Sequence, residues 1–349
     1  MSSLMHTILA IETSCDETAV AILRGNELLA SEVASQREHE AYGGVVPEVA
    51  SRNHLLHAPR LLDDAVKKAG IALKQVDAFA ATSGPGLASS LMIGASIAKG
   101  LALGFSKPYL AINHLEGHLL SPFFVASASS RCATHGQDAR ATIEPNVSLI
   151  VSGGHTLLVE VRGVADYRVM GRTVDDAAGE AFDKVAKMLG LGYPGGPEVE
   201  RRALSGNATR FEFPRSMLDS GDHNFSFSGL KTAVRYQLAK LGTISDETRG
   251  DLCASFQRAV VEVLVKKTLR AARQSKTKLV TVSGGVSCNR ALRDQMSEAC
   301  NRARVRLLTA VPDLCTDNAA MIAFAASLRF QAGFESELTQ EIDPNLALA

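Results

Sequence analysis

The sequence has no excess of charge of either sign: 37 Lys and Arg stand against 37 Asp and Glu, a formal net charge of zero. A chain that grips nucleic acid unaided usually carries a basic excess, because phosphate neutralisation supplies most of its affinity. Composition therefore disfavours an unaided nucleic-acid binder. Paired cysteines are missing too. Cys15, Cys132, Cys253, Cys288, Cys300 and Cys315 are scattered, with no C-x-x-C among them. Such spacing suits reduced thiols in a cytosol better than a disulfide framework or a zinc ribbon. The chain passes almost at once into Ile8-Leu9-Ala10-Ile11-Glu12, which is not the pattern of a secretory signal. The most apolar stretch, Leu87 to Phe105, contains Lys99 and several Gly, Ser and Ala, and reads as a buried helix rather than a membrane span. With 349 residues and 46% hydrophobic side chains, a cytoplasmic protein of two domains with no membrane partner is the expectation.

Several catalytic signatures are also lacking. No G-x-S-x-G elbow anchors a serine hydrolase. Gly190-Leu191-Gly192-Tyr193-Pro194-Gly195 matches G-x-G-x-x-G in letters, but it follows a predicted helix and contains Pro194, so it is no dinucleotide fingerprint. Gly229-Leu230-Lys231-Thr232 lacks the glycine spacing of a P-loop.

What is present is a repeated plan. Alternation predicts strands over 8–13, 18–23 and 27–34, with Gly25-Asn26 as a hairpin turn. A helix follows from Pro47, with Pro59 expected to kink or split it. A strand at 77–82, a helix at 87–104, a strand at 108–112 and a helix from about 114 complete the first half. The second half reads as strands at 147–151, 156–161 and 167–170, then helices near 175–189, 196–204, 228–240 and 247–274. A strand at 278–282, a helix at 289–303, a strand at 305–309 and a helix at 316–332 close it. A three-stranded meander followed by alternating helix and strand thus occurs twice, which predicts an α/β protein of two stacked, related domains with a cleft. Residues 125–146 read as a surface loop.

Two junctions repeat as well. Ser152-Gly153-Gly154 and Ser283-Gly284-Gly285 each follow an apolar strand, where glycines let backbone N–H groups approach an anionic ligand. Either one alone is equally a tight turn, but as a pair in duplicated halves they favour a nucleotide-type ligand, with Asn289 able to add a contact. The sharpest chemical signal is His114-Leu115-Glu116-Gly117-His118. At 100° per residue, histidines four apart share one helical face and suit one metal. Glu116 is two residues from each and projects to the opposite side, unlike the general base of H-E-x-x-H zinc proteases. Asp317 is the plausible third ligand, although a helix cap would also explain it. Two histidines and a carboxylate with open positions suit iron(II) or zinc. Glu12-Thr13-Ser14-Cys15-Asp16-Glu17-Thr18 is either an ordinary polar hairpin or a face toward a metal or nucleophile.

Taken together these residues resemble the family of tRNA N6-adenosine threonylcarbamoyltransferases of the bacterial TsaD type, once described as glycoprotein endopeptidases. The resemblance runs over nearly the whole chain. It rests on Ile11–Thr18, the Tyr42-Gly43-Gly44-Val45-Val46-Pro47-Glu48 loop with Ala50-Ser51-Arg52, His114–His118 and Ser152–Thr156. It continues through Asp175–Lys184, Tyr193–Gly196, Phe225–Lys231, Ser283–Asn289 and Cys315–Asn318. It implies two RNase H-like domains of the actin/Hsp70/sugar-kinase (ASKHA) type, one over 1–120 with about 318–349 and the other over 147–317, joined by 121–146. It implies transfer of a threonylcarbamoyl group from threonylcarbamoyl-AMP to N6 of the adenosine 3′ to the anticodon, in tRNAs reading codons that begin with A. By the family pattern His114, His118 and Asp317 hold one divalent metal, Fe(2+) in preference to Zn(2+). Ile150, Val151, Ser152, Gly153, Gly154, Asp183, Gly196, Glu200 and Asn289 hold the adenylate, and Glu12 is the catalytic candidate. TsaB-like and TsaE-like partner proteins are implied, which would share the tRNA contacts and so fit the neutral charge. Two departures stand out: Ala319 replaces a common glycine, and 125–146 is longer than usual.

Overall fold

The computed structural model describes residues 5–36, 38–39, 44–124 and 143–349. Tyr42, Gly43, Cys132 and most of the 125–146 loop lie outside the described residues. The chain divides into two compact units, Met1–Ile143 with Asp317–Ala349, and Glu144–Thr316.

The first unit holds β1 (Thr7–Glu12), β2 (Glu17–Arg24), β3 (Glu27–Ser35), α1 (Pro47–Ala69), β4 (Ala78–Gly84), α2 (Ala88–Phe105), β5 (Tyr109–Asn113) and α3 (His114–Leu120). Helix α9 (Ala319–Gln331) returns to it from the end of the chain. Its sheet runs β3-β2-β1-β4-β5. The meander is antiparallel, whereas β1–β4 and β4–β5 are parallel. All six residues of β1 are buried, as a strand covered on both faces requires. Leu9 and Ile11 join a core with Leu61 and Ala65 of α1 and Ala98 and Ala102 of α2. The alternating Ile8 and Ala10 are buried as well. Helix α9 packs on β1, β2 and β4, and Ala319 through Leu328 are all buried, the pattern of a helix apolar on every side.

The second unit repeats the plan with β6 (Asn146–Val151), β7 (Thr156–Gly163), β8 (Asp166–Arg172), β9 (Leu279–Ser283) and β10 (Arg306–Thr309). Its sheet order, β8-β7-β6-β9-β10, is the same order strand for strand. Around it lie α4 (Ala178–Met188), α5 (Gly195–Ala203), α6 (Ser228–Leu241), α7 (Asp246–Gln274) and α8 (Arg290–Ala303). The duplicated α/β, RNase H-like plan is therefore present in both units.

Three expectations need correction. Pro59 does not split helix α1, which continues through it to Ala69. Pro59 and Leu55, whose carbonyl it deprives of a donor, are both exposed, so water can take that carbonyl. Helix α4 begins at Ala178, not near 175, because Asp175 is drawn away to accept from Phe227 N and the Ser226 and Ser228 hydroxyls. Helix α9 begins at Ala319 rather than 316, because the Asn318 side chain caps it by accepting from Met321 N. The apolar α2 is long enough to cross a membrane by composition, but it packs on α1 and β4.

Candidate functional site

Helix α3 starts abruptly at the end of β5. Asn113 makes it do so: its Oδ1 accepts from Leu115 N at 2.9 Å, the bond of a helix N-cap. His114 and His118 then share one face, with ring centroids 4.8 Å apart in an edge-to-face pair. Beside the histidines on α3, Gly117 meets α9 so closely that an added Cβ would lie 2.8 Å from Ile322 Cδ1. That close approach brings the residue preceding the α9 cap, Asp317, to the histidines.

His118 Nε2 lies 3.1 Å and His114 Nε2 3.4 Å from the same Asp317 Oδ1. One ligand atom from each of these three residues falls within 4.8 Å of the others. The Nδ1 of His114 faces Glu12 Oε2 at 3.2 Å and Ser14 Oγ at 3.2 Å. A buried carboxylate on the far nitrogen fixes the tautomer and ring orientation of a ligating histidine. Among the described residues His118 Nδ1 has no such partner. Glu12 is fully engaged: its Oε1 accepts from Ser14 N, and its Oε2 also accepts from the Thr82 hydroxyl. Glu116 points away from the histidines and is ion-paired in the interior with Arg329 of α9 at 2.7 Å.

The electrostatics favour a cation. Burial pushes the Glu17 carboxyl up, and Asp317 and Asp16 add to the shift, to about 9. Burial acts against charged His114, but Asp317 and Glu12 outweigh it and hold the imidazole well above its ordinary range. Burial also raises Asp317, which His114 and His118 overcome, leaving it well below the carboxylate norm. Glu12 and Asp317 thus set two carboxylates against the two imidazoles. The nitrogen and oxygen donors present are those that iron(II) or zinc accepts. The donor set fits the group.

In the second unit the two glycine turns meet. Ile150 pairs with Ser283 across adjacent parallel strands, and the carbonyl of Val151 sits where a Cβ on Gly284 would lie only 2.5 Å away. Gly284 has φ +88°, open to glycine at little cost. Ser152 N donates to His155 O at 2.8 Å, closing the first turn, and Gly153 and Gly154 stand exposed at its tip. Gly179 lets the start of α4 press against Ser152, since a Cβ there would be 2.6 Å from Ser152 O. Asp183, on α4, accepts from Gly195 N at 2.7 Å and also from Gly196 N, at the start of α5. Glu200, on α5, accepts from Arg290 N at 2.7 Å. Asn289 caps α8 by accepting from Leu292 N at 3.0 Å and donates to Gln257 Oε1 at 2.7 Å. The polar side chains proposed from the sequence thus fasten α4, α5 and α8 to one another beside the C-terminal ends of β6 and β9, the ends where open α/β sheets bind ligands.

Sequence reasoning did not single out Asn113, Thr82 or Arg329. It also missed a buried chain in which His39 Nε2 meets Gln36 Oε1, Gln36 Nε2 meets His54 Nδ1, and His54 Nε2 meets Cys15 O. Asn113 alone left a signal: a capping residue directly before the histidine run.

A family model described as tRNA N6-adenosine threonylcarbamoyltransferase (TsaD) matches residues 27–324. A protein of that name from Acidovorax sp. (strain JS42) is 50% identical over 333 residues, covering 93% of this chain and 92% of the relative. Another from Thermosipho africanus (strain TCF52B) is 43% identical over 342 residues, covering 98% and 99%. Among solved structures, HypF from T. kodakarensis superposes with a TM-score of 0.61 at 14% identity, over 94% of this chain and 49% of that one. The activator of 2-hydroxyisocaproyl-CoA dehydratase from Clostridium difficile, with bound ADPNP, gives 0.50 at 16% identity, over 95% and 99%. These two likenesses establish the shared ASKHA-type fold. The sequence matches, spanning most of the chain at up to half identity, establish more: the chain belongs to the tRNA N6-adenosine threonylcarbamoyltransferase family.

Proposed function

We propose that His114, His118 and Asp317 hold one divalent metal, Fe(2+) in preference to Zn(2+), in a chain that forms N6-threonylcarbamoyladenosine in tRNA. The observation that carries this reading is the convergence of both Nε2 atoms on one Asp317 oxygen, with Glu12 holding His114 from behind. Such a metal, when bound, supplies Lewis-acid polarisation of an acyl oxygen. The donor is threonylcarbamoyl-AMP and the acceptor is N6 of the adenosine 3′ to the anticodon, in tRNAs reading codons that begin with A. The amine forms a bond to the carbamoyl carbon, the bond from that carbon to AMP breaks, and the amine gives up a proton.

The adenylate is assigned to Ile150, Val151, Ser152, Gly153, Gly154, Asp183, Gly196, Glu200 and Asn289. The exposed turn at Gly153 and Gly154 offers backbone N–H groups for charge on the leaving AMP. Asp183, Glu200 and Asn289 hold the helix starts around it. Glu12 acts through His114 as a positioning residue, since both of its oxygens are already taken. The protease reading loses its base, because Glu116 is locked to Arg329.

The protein works in the cytoplasm with TsaB-like and TsaE-like partners, which share the tRNA contacts. Zero net charge supports this division of labour, as do the exposed Leu55 and Leu56 of α1 and Met92 and Leu103 of α2. The test is transfer of labelled threonine to unmodified tRNA with ATP, bicarbonate, the adenylate-forming enzyme and the partners. Label that appears only when this chain is present supports the reading. No label with active partners would overturn it.

A further inference from the structure

Residues 336–347 run from the edge of β5 to the start of α3. Ser336 N donates to Tyr109 O at 2.9 Å, and its hydroxyl accepts from Ala111 N at 3.0 Å. Further along, Lys99 Nζ donates to Gln340 O. Asp343 N then donates to Ser83 O at 2.8 Å, and Gly86 N donates to Pro344 O at 3.1 Å. Contact with the β4–α2 loop is tight, since a Cβ on Gly84 would lie 1.9 Å from Asp343 O. Finally Asn113 Nδ2 donates to Ala347 O at 2.9 Å.

Asn113 therefore has two tasks. Its Oδ1 caps α3 through Leu115 N, while its Nδ2 holds Ala347 O. One neighbour can only donate and the other can only accept, so the orientation of the amide is determined. His114 is the next residue. At its other anchor the segment grips Ser83, next to Thr82, whose hydroxyl donates to Glu12. Asn113, which sets the first turn of α3, is thus bonded to this segment directly, and Glu12, which faces the His114 ring, is linked to it through Thr82 and the adjoining Ser83.

We propose that residues 336–347 form a strap that positions His114 for the metal, with Asn113 as the residue that transmits it. This rests on the reading that His114, His118 and Asp317 hold a metal. With the strap seated, the amide of Asn113 cannot rotate without losing a bond at one end, and the first turn of α3 is held at one angle.

The test uses Zn(2+) affinity, by competition with a chromophoric chelator, in the full-length protein and two variants. Asn113→Asp keeps the capping oxygen but turns an acceptor on Ala347 O. The second variant lacks residues 343–349. Each is expected to bind Zn(2+) about 10-fold or more weakly, the usual effect of losing a partner of a metal ligand. The combined variant should lose no more than either alone, because both cut the same link. In the metal-free protein, hydrogen exchange at Leu115 N should speed up in both. Wild-type Zn(2+) affinity in both variants, or additive losses in the combined one, would overturn the strap. If His118→Ala leaves Zn(2+) affinity intact, the metal reading itself fails. The strap then stands or falls on Leu115 exchange, and an unchanged rate rejects it.

Discussion

Glu12 and His114, 102 residues apart in sequence, are joined by a buried hydrogen bond of 3.2 Å that turns the other ring nitrogen toward Asp317. The carboxylate is wholly buried at the end of β1 and has three donors around it. Glu12→Gln keeps the shape and removes the charge that secures the Nδ1–H tautomer. Metal affinity is expected to fall about 10- to 100-fold, read by Zn(2+) competition, with threonine transfer falling alongside. Glu12→Ala also leaves Ser14 N and the Thr82 hydroxyl without an acceptor, at about 1–3 kcal/mol for each group. Thermal unfolding should therefore separate the two variants.

Gly117 sets the distance between α3 and α9. A methyl group there would meet Ile322 Cδ1 at 2.8 Å and Met321 Cγ at 3.1 Å, inside the packed core. Gly117→Ala is expected to push the helices apart, costing about 1–3 kcal/mol by overpacking and drawing Asp317 away from His118. Ile322→Val in the same chain should restore part of both stability and metal affinity. Denaturant unfolding and Zn(2+) competition on the single and double variants check this.

His54 gives a pH signature separate from the metal ligands. It is wholly buried on α1, bonded to the Thr18 hydroxyl and Cys15 O, and burial holds its pKa below the ordinary 6.5. The unfolded chain therefore binds the proton more readily than the folded one. Stability from neutral His54 is complete above pH 6.5 and declines as pH falls from there toward the folded value, by at most about 1.4 kcal/mol per pH unit. Subtracting the stability of His54→Gln from that of the wild type at each pH should show a gap that shrinks on acidification. A gap independent of pH would contradict this.

Much of the fold was legible because the strand pattern is repeated and punctuated. Gly25-Asn26 turns the first meander, and β1 and β6, short apolar runs buried along their whole length, stand out against the helical stretches between them. The helix starts were harder to read. Asp175 and Asp317 resemble first-turn acids in sequence, yet Asp175 is claimed by Ser226, Phe227 and Ser228, which follow some fifty residues later. Pro59 reads as a helix breaker, but the Leu55 carbonyl it leaves without a donor lies on an exposed face where water can take it. At the candidate site, the two histidines were legible from helical spacing. Their neighbours were not: Thr82 and Arg329 act through contacts between elements far apart in the chain, which no local pattern records, and of the two bonds of Asn113 only the cap to Leu115 N left a local signal.

The most direct test of the metal assignment is anomalous scattering from crystals of the protein as isolated, collected across the iron and zinc edges. The account predicts one peak bounded by His114 Nε2, His118 Nε2 and the Asp317 carboxylate, at the iron edge in protein kept from air, and its loss in His118→Ala. A metal bound elsewhere, or no metal in protein that transfers threonine to tRNA at full rate, would contradict it.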